Sequence, residues 1–276
     1  MAVDLTPETQ SLIEGLIDWG RMIIAIDFGR YLFGAGGVFL VTWLGRRWLA
    51  VRKIRGKSPR RRQMVREFRA SLVTVFVFGV VGLSTKFGLE AGWMEIYGDI
   101  DAYGWGYFAF SLVAIIVLHD AYFYWTHRLM HMPGMMKHIH WLHHRSFNPS
   151  PWAAYSFDMP EAAVHALFVP LALLLLPMHG LAMWLFLGHM IIRNAMGHSG
   201  YELFPRRWAV HPILGWLTLV THHDMHHANG NYNFGLYFSW WDRLMGTEHP
   251  DYLARVTGDP GRRRSPLAVT EAKENA

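Results

Sequence analysis

Residues 125–144 read WTHRLMHMPGMMKHIHWLHH, and the rest of the chain is arranged around them. His127 and His131 stand four apart, and His140, His143 and His144 follow at spacings of three and one. On a helix, residues three and four apart share a face, so each set aims its imidazoles at one point. His223, His226 and His227 repeat the three-and-one spacing, and His198 lies between the sets. Neutral imidazole is the commonest transition-metal ligand, and one ion usually takes about four protein ligands. Nine histidines at these spacings predict a metal centre with more than one ion.

The surroundings of that stretch are those of a membrane protein. Hydrophobic residues make up 52% of the 276 and charged ones only 17%, which is far toward the membrane class. Thirteen Trp and eleven Tyr fit aromatic belts at headgroup level. The chain has no Cys, which excludes disulfides, thiolate-held zinc, iron–sulfur clusters and cysteine nucleophiles. Nitrogen or oxygen must therefore hold the metal.

The net charge of +5 is concentrated between positions 46 and 69, from Arg46 and Arg47 through Arg55 to Arg66 and Arg69. A basic loop between apolar segments is a cytoplasmic topology signal and a secondary site for anionic headgroups. Nucleic acid is excluded as a partner, because no interleaved aromatic or recognition-helix pattern accompanies the charges.

Read in order, residues 1–19 are polar and lack the basic start of a signal peptide, so they form a translocated or surface-lying leader. Residues 22–44 are a first span, interrupted by Asp27 and Arg30, which form a structural pair or mark a shifted span end. The glycines of GAGGV at 34–38 serve close helix packing rather than phosphate binding. Residues 72–89 and 105–125 are the second and third spans. The proline-bearing residues 146–160 form an irregular connection, and 162–176 with 181–192 make two tilted spans or a hairpin dipping into the bilayer.

The expected fold is thus all-α, an integral membrane helical bundle with a cytoplasmic histidine-rich di-metal cap. It divides at 1–104 (leader and two spans), 105–250 (metal-bearing domain) and 251–276 (a disordered polar tail with Arg262, Arg263 and Arg264). With the basic loop inside, the third span returns to the cytoplasm and the hairpin leaves and comes back, so all nine histidines emerge at one face.

The pattern HxxxH, HxxHH, a lone histidine and HxxHH resembles the fatty acid hydroxylase/sterol desaturase superfamily of membrane di-iron oxygenases. Here it is carried by His127 and His131, by His140, His143 and His144, by His198, and by His223, His226 and His227. Asp120 and Tyr124-Trp125 before the first pair, NAMGHSG at 194–200 and WDRLMGT at 241–247 match as well. Relatives with the fullest ligand set carry a histidine where this chain has Asn194, on the same helical face as His198.

The resemblance implies that the nine histidines hold two iron ions, which zinc can replace in a purified sample, with O₂ as co-substrate. It implies insertion of one oxygen into a C–H bond of a lipid, with no catalytic side chain beyond the ligands. Electrons must come from a ferredoxin- or cytochrome-type donor, since the chain carries no flavin, nicotinamide or haem motif. Asp120, two turns before His127, and Asn194 are the expected partners behind the ligands, ahead of Glu161, Asp224 and Asp242. Three rivals stand beside this reading: desaturation or methyl oxidation within the same superfamily, a zinc hydrolase of the membrane interface, and a non-enzymatic metal carrier. The absence of HExxH lowers the hydrolase.

Overall fold

The computed structural model describes residues 6–262. Residues 1–5 of the expected leader, and the tail from 263 onward with Arg263 and Arg264, lie outside them. Thr6 opens the first helix, its hydroxyl accepting from the Thr9 N–H, with Pro7 at the first helical position where a missing N–H costs nothing. Helix α1 (Pro7–Tyr31) continues through a π-helical turn (Leu32–Gly36) into α2 (Gly37–Leu44). The segment expected to be a leader is therefore the first half of a transmembrane-length helix. Its Trp19 indole donates to the Gly82 carbonyl at 3.4 Å, fixing the polar end against the neighbouring helix.

Helix α3 (Arg61–Glu90) and α4 (Gly104–Met130) complete a set of three helical stretches long and apolar enough to cross a membrane. Helical backbone satisfies its own hydrogen bonds, which hydrocarbon demands. Phe33, Val41, Phe76, Phe110 and Val113 are exposed on these helices, a lipid-facing surface rather than a folding defect. Shorter α6 (Met159–Leu173) and α7 (Gly180–Gly197) follow, preceded by α5 (Trp141–His144). The last part carries α8 (Val220–Ala228), α9 (Trp240–Leu244) and α10 (Tyr252–Thr257). Strand content among the described residues is one parallel pair, β1 (Ile96–Tyr97) with β2 (Met178–His179).

Small residues let the helices approach. A Cβ on Gly79 of α3 would meet Ile24 of α1 at 2.4 Å, and one on Gly34 would meet Ile191 of α7 at 2.6 Å. The glycine run at 34–38 is thus a packing device, as expected. The proline-bearing connection is irregular, but it is a buried anchor rather than a surface loop. The Tyr31 hydroxyl donates to the Trp152 carbonyl at 3.0 Å, and the Trp152 ring lies 5.5–5.9 Å from Phe39, Phe68 and Tyr31.

The basic stretch differs from the expected loop. Arg61, Arg62, Arg66 and Arg69 belong to α3. Arg55 Nε lies 2.7 Å from Asp224 Oδ1 and its Nη2 donates to the Asp224 carbonyl at 2.6 Å, while Arg66 donates to the Arg145 carbonyl at 3.2 Å. Ile54 N–H reaches the Gly200 carbonyl at 3.0 Å. Part of this basic segment therefore clasps the histidine-bearing elements, so topology alone does not account for its charges.

Candidate metal centre

Four elements bring the nine histidines together. The C-terminal turns of α4 present His127 and His131, and the turn leading into α5 presents His140, His143 and His144. His198 follows the end of α7, and α8 carries the last three. Glu202 fixes the start of α8, with its carboxylate accepting the Thr221 N–H at 2.9 Å and hydroxyl at 2.7 Å and the Val220 N–H at 3.4 Å. An acidic group there satisfies donors that have no intrahelical partner and opposes the helix dipole.

The imidazoles fall into two groups. His127, His131, His140, His144 and His226 form one, and His143, His198, His223 and His227 the other, with the candidate ligand atoms of each within 4.8 Å of one another. Neither group includes another histidine. The Nε2–Nε2 separations are 3.1 Å for His127–His140 and His226–His144. In the second group they run from 3.0 to 3.3 Å for His198 with His223, His227 and His143.

The Nδ1 contacts decide what those nitrogens are. His127 Nδ1 donates to the Phe234 carbonyl at 2.9 Å, His226 Nδ1 to the Tyr232 carbonyl at 2.7 Å, and His198 Nδ1 to the Asn194 carbonyl at 2.7 Å. A carbonyl only accepts, so each Nδ1 holds the proton and each Nε2 presents a lone pair. Each close Nε2–Nε2 pair of 3.0–3.3 Å thus has at least one lone pair aimed at the other ring, an arrangement that a cation between the rings suits. Metal–nitrogen bonds of about 2.1 Å place neighbouring ligands about 3.0 Å apart at right angles and about 3.4 Å apart in a tetrahedron. The donor set and its spacing fit two metal ions, one for each group.

Electrostatics agree. Burial is the largest cause lowering the imidazole pKa values, to about 3 for His144 and about 4 for His198, and well below the usual range for His140, His143, His223, His226 and His227. Neutral imidazoles are the form a cation needs.

The expected partners behind the ligands are only partly as read. Asp120 touches no imidazole: one oxygen accepts the Tyr237 and Phe238 N–H groups at 2.8 and 3.2 Å, the other the Trp240 indole at 2.8 Å. Asp242 likewise holds the Phe234 and Gly235 N–H groups, both at 2.9 Å. Both carboxylates shape the 232–240 loop whose carbonyls orient His127 and His226, so they act one step further out than sequence spacing indicates. Asn194 donates its side-chain amide to the Ala154 carbonyl at 2.7 Å, while its backbone carbonyl orients His198. Asp224 is committed to Arg55. Glu161, ranked behind Asp120 on sequence, lies fully buried with Oε1 2.7 Å from His140 Nδ1. Arg55, Glu202 and the Tyr232 and Phe234 carbonyls carry no sequence signal, because backbone groups and a distant cap are invisible to spacing.

An apolar cavity of about 280 Å³ runs between α1, α3, α4, α6 and α7. Phe123, Phe157 and His165 line its end nearest the histidines. Phe123 lies 4.9 Å from the His127 ring and Phe157 5.4 Å from that of His143, and His165 contacts both phenylalanines at 5.3 and 4.9 Å. These three rings form a wall between slot and imidazoles. A separate cavity of about 500 Å³, lined by Arg128, His131, Met132 and Tyr232, shares no lining residue with the slot.

Residues 112–247 match the model of the fatty acid hydroxylase family. Among similar curated proteins is a delta(7)-sterol 5(6)-desaturase of Gibberella zeae, 28% identical over 78% of this chain and 66% of the relative. A lathosterol oxidase of Rattus norvegicus is 29% identical over 58% of this chain and 52% of its own length. A cholesterol 25-hydroxylase of Mus musculus is 32% identical over 49% and 45%. The chain thus spans about half to two-thirds of the length of these relatives. No solved structure matches it. With two histidine groups, apolar spans and these similarities together, the chain belongs to the fatty acid hydroxylase/sterol desaturase superfamily.

Proposed function

We propose that this protein is a membrane di-iron oxygenase that oxidises a C–H bond of a lipid with O₂, its histidine cap facing the cytoplasm. The observation that carries the reading is the convergence of nine imidazoles in two groups behind the end of an apolar slot. The nine histidines are the ligands, five for one ion and four for the other. These imidazoles would hold iron, which when bound would supply the O₂ chemistry, and no other side chain is required as a reacting group.

The chain's own residues do the rest. Slot residues align one substrate carbon, and the Phe123, His165 and Phe157 rings at the histidine end of the slot set how closely that carbon approaches the imidazoles. Glu161 and the loop carbonyls hold the imidazole orientations. The separate cavity at His131 gives a route on which an external ferredoxin- or cytochrome-type donor delivers electrons without displacing lipid.

The relatives named above act on sterols, which supports a sterol-like lipid as substrate. Hydroxylation and desaturation share the hydrogen-abstraction step, so product mass separates them. Purified protein in lipid nanodiscs, loaded with ferrous iron and given a ferredoxin reductant and ¹⁸O₂, should yield a lipid gaining one labelled oxygen. Loss of two hydrogens without label would assign desaturation. Anaerobic turnover of the zinc form would overturn the oxygenase reading in favour of hydrolysis.

A further inference from the structure

Beside the imidazoles of His119 and His165 and the Asn194 amide, the otherwise apolar lining of the slot carries one acid–base pair. Asp27 and Arg30 sit near the midpoint of the helical run Pro7–Arg47, and both line the cavity. Arg30 Nη2 lies 2.5 Å from Asp27 Oδ1, and the two side chains are 6% and 11% exposed. The remaining donors of the guanidinium, Nε and Nη1, are buried without a hydrogen-bond partner. Tyr155, whose ring lies 5.9 Å from the guanidinium, lines the same cavity with its buried hydroxyl beside the Arg30 side chain.

Charge buried within a transmembrane-length helix is costly, and ionisable groups there mark functional sites. A helix-packing role does not need it, since apolar residues of similar size would pack α1 at least as well as a buried ion pair. Donors left unpaired in the pair add to that cost. The arrangement has a use when something entering the slot brings an oxygen.

We propose that Asp27 and Arg30 form a subsite for the hydroxyl group of a lipid alcohol, fixing how the substrate lies in the slot. The inference rests on the lipid reading of that slot. The pair is neutral overall, so a carboxylate gains no net counter-charge, whereas a hydroxyl both accepts from Arg30 and donates to Asp27. Tyr155 lies 6.2 Å from Phe157, and Phe157 lies 5.4 Å from His143. The hydroxyl is therefore anchored two aromatic rings away from the histidines, and the carbon presented to the wall is one remote from it. The Asp27–Arg30 pair is a positioning device.

The test is equilibrium binding to the iron-loaded protein in detergent, with probe pairs that differ only in the hydroxyl. Octadecanol against octadecane, and cholesterol against its 3-deoxy hydrocarbon, distinguish a chain alcohol from a ring alcohol; stearate is the anionic control. In the wild type the alcohol of at least one pair should bind about tenfold tighter than its hydrocarbon, the scale of one charge-assisted hydrogen bond. Arg30→Met and the fully apolar Asp27→Leu/Arg30→Met should bring that ratio to near one with iron content unchanged. Equal binding of alcohol and hydrocarbon by the wild type overturns the proposal without any variant, and so does tighter binding of stearate than of octadecanol. A preserved ratio in the double variant also overturns it. Oxygenase failure would appear instead as absent ¹⁸O incorporation while the binding ratio stands.

Discussion

Glu161 Oε1 lies 2.7 Å from His140 Nδ1 in a pocket where the carboxyl has no exposed surface. The same oxygen is 3.7 Å from His165 Nε2, so one buried carboxyl touches both a candidate ligand and the wall of the apolar slot. Carboxylates behind imidazoles fix the ring orientation and raise ligand basicity.

Glu161→Gln keeps the shape and replaces the carboxyl with an amide that cannot ionise. It should weaken metal binding by the five-histidine group about tenfold to a hundredfold, the usual cost of losing such a partner. Competitive metal titration with a chelator measures it, and unchanged affinity would remove Glu161 from the centre.

Asn194 and His198 share a helical face yet should behave differently. The Asn194 side chain is spent on the Ala154 carbonyl, so Asn194→Ala should keep both metals and lose part of the activity. His198 Nε2 lies within 3.3 Å of three other ring nitrogens, so His198→Ala should lose the metal of its group and nearly all activity. Metal analysis of the two purified variants decides it. Equal metal loss in both would make Asn194 a ligand.

Stability of the metal-free protein should fall with pH. Burial lowers the His198 pKa to about 4 and that of His144 to about 3, below the ordinary value near 6.5. Unfolded chains then bind more protons than folded ones below about pH 6.5, so the unfolded state gains as pH drops toward 4. Thermal unfolding in detergent should show a midpoint that is flat above pH 7 and declines from pH 6.5 downward. A midpoint that rises on acidification would contradict buried, neutral imidazoles.

Phe157 separates the slot from His143, its ring centroid 5.4 Å from the imidazole. Phe157→Ala should widen the passage between slot and imidazoles, loosen substrate placement and lower the ratio of lipid product to O₂ consumed, with metal content unchanged. Side-by-side oxygen electrode and product analysis read that ratio. Unaltered coupling would place the barrier elsewhere.

Arg55→Met removes the clasp on α8 through Asp224. Leaving a largely buried carboxylate unpaired should destabilise the protein by about 3 kcal/mol, seen as a lower unfolding midpoint. Arg55→Met combined with Asp224→Leu should recover much of it; no recovery would show that the clasp acts through other contacts.

The histidine spacings, the lack of Cys and the apolar runs were enough to read a helical protein with membrane-length spans and a candidate nitrogen-donor metal site. Those properties are local: side chains three and four apart share a helix face wherever the helix goes, and a long apolar run is a span by its own length. Which histidines stand together was decided only by tertiary structure. His226 joins the α4 pair while His223 and His227, on the same short helix, join His198. The outer partners were decided there too. Asp120 is in helical phase with His127, yet its carboxylate is captured by the N–H groups of Tyr237 and Phe238, far along the chain. Glu161 meets His140 because α6 folds back against the turn before α5. Spacing along one helix says which face a residue occupies. What covers that face is set by long-range packing, and here packing also makes the slot, its Asp27–Arg30 ion pair and the rings between slot and imidazoles.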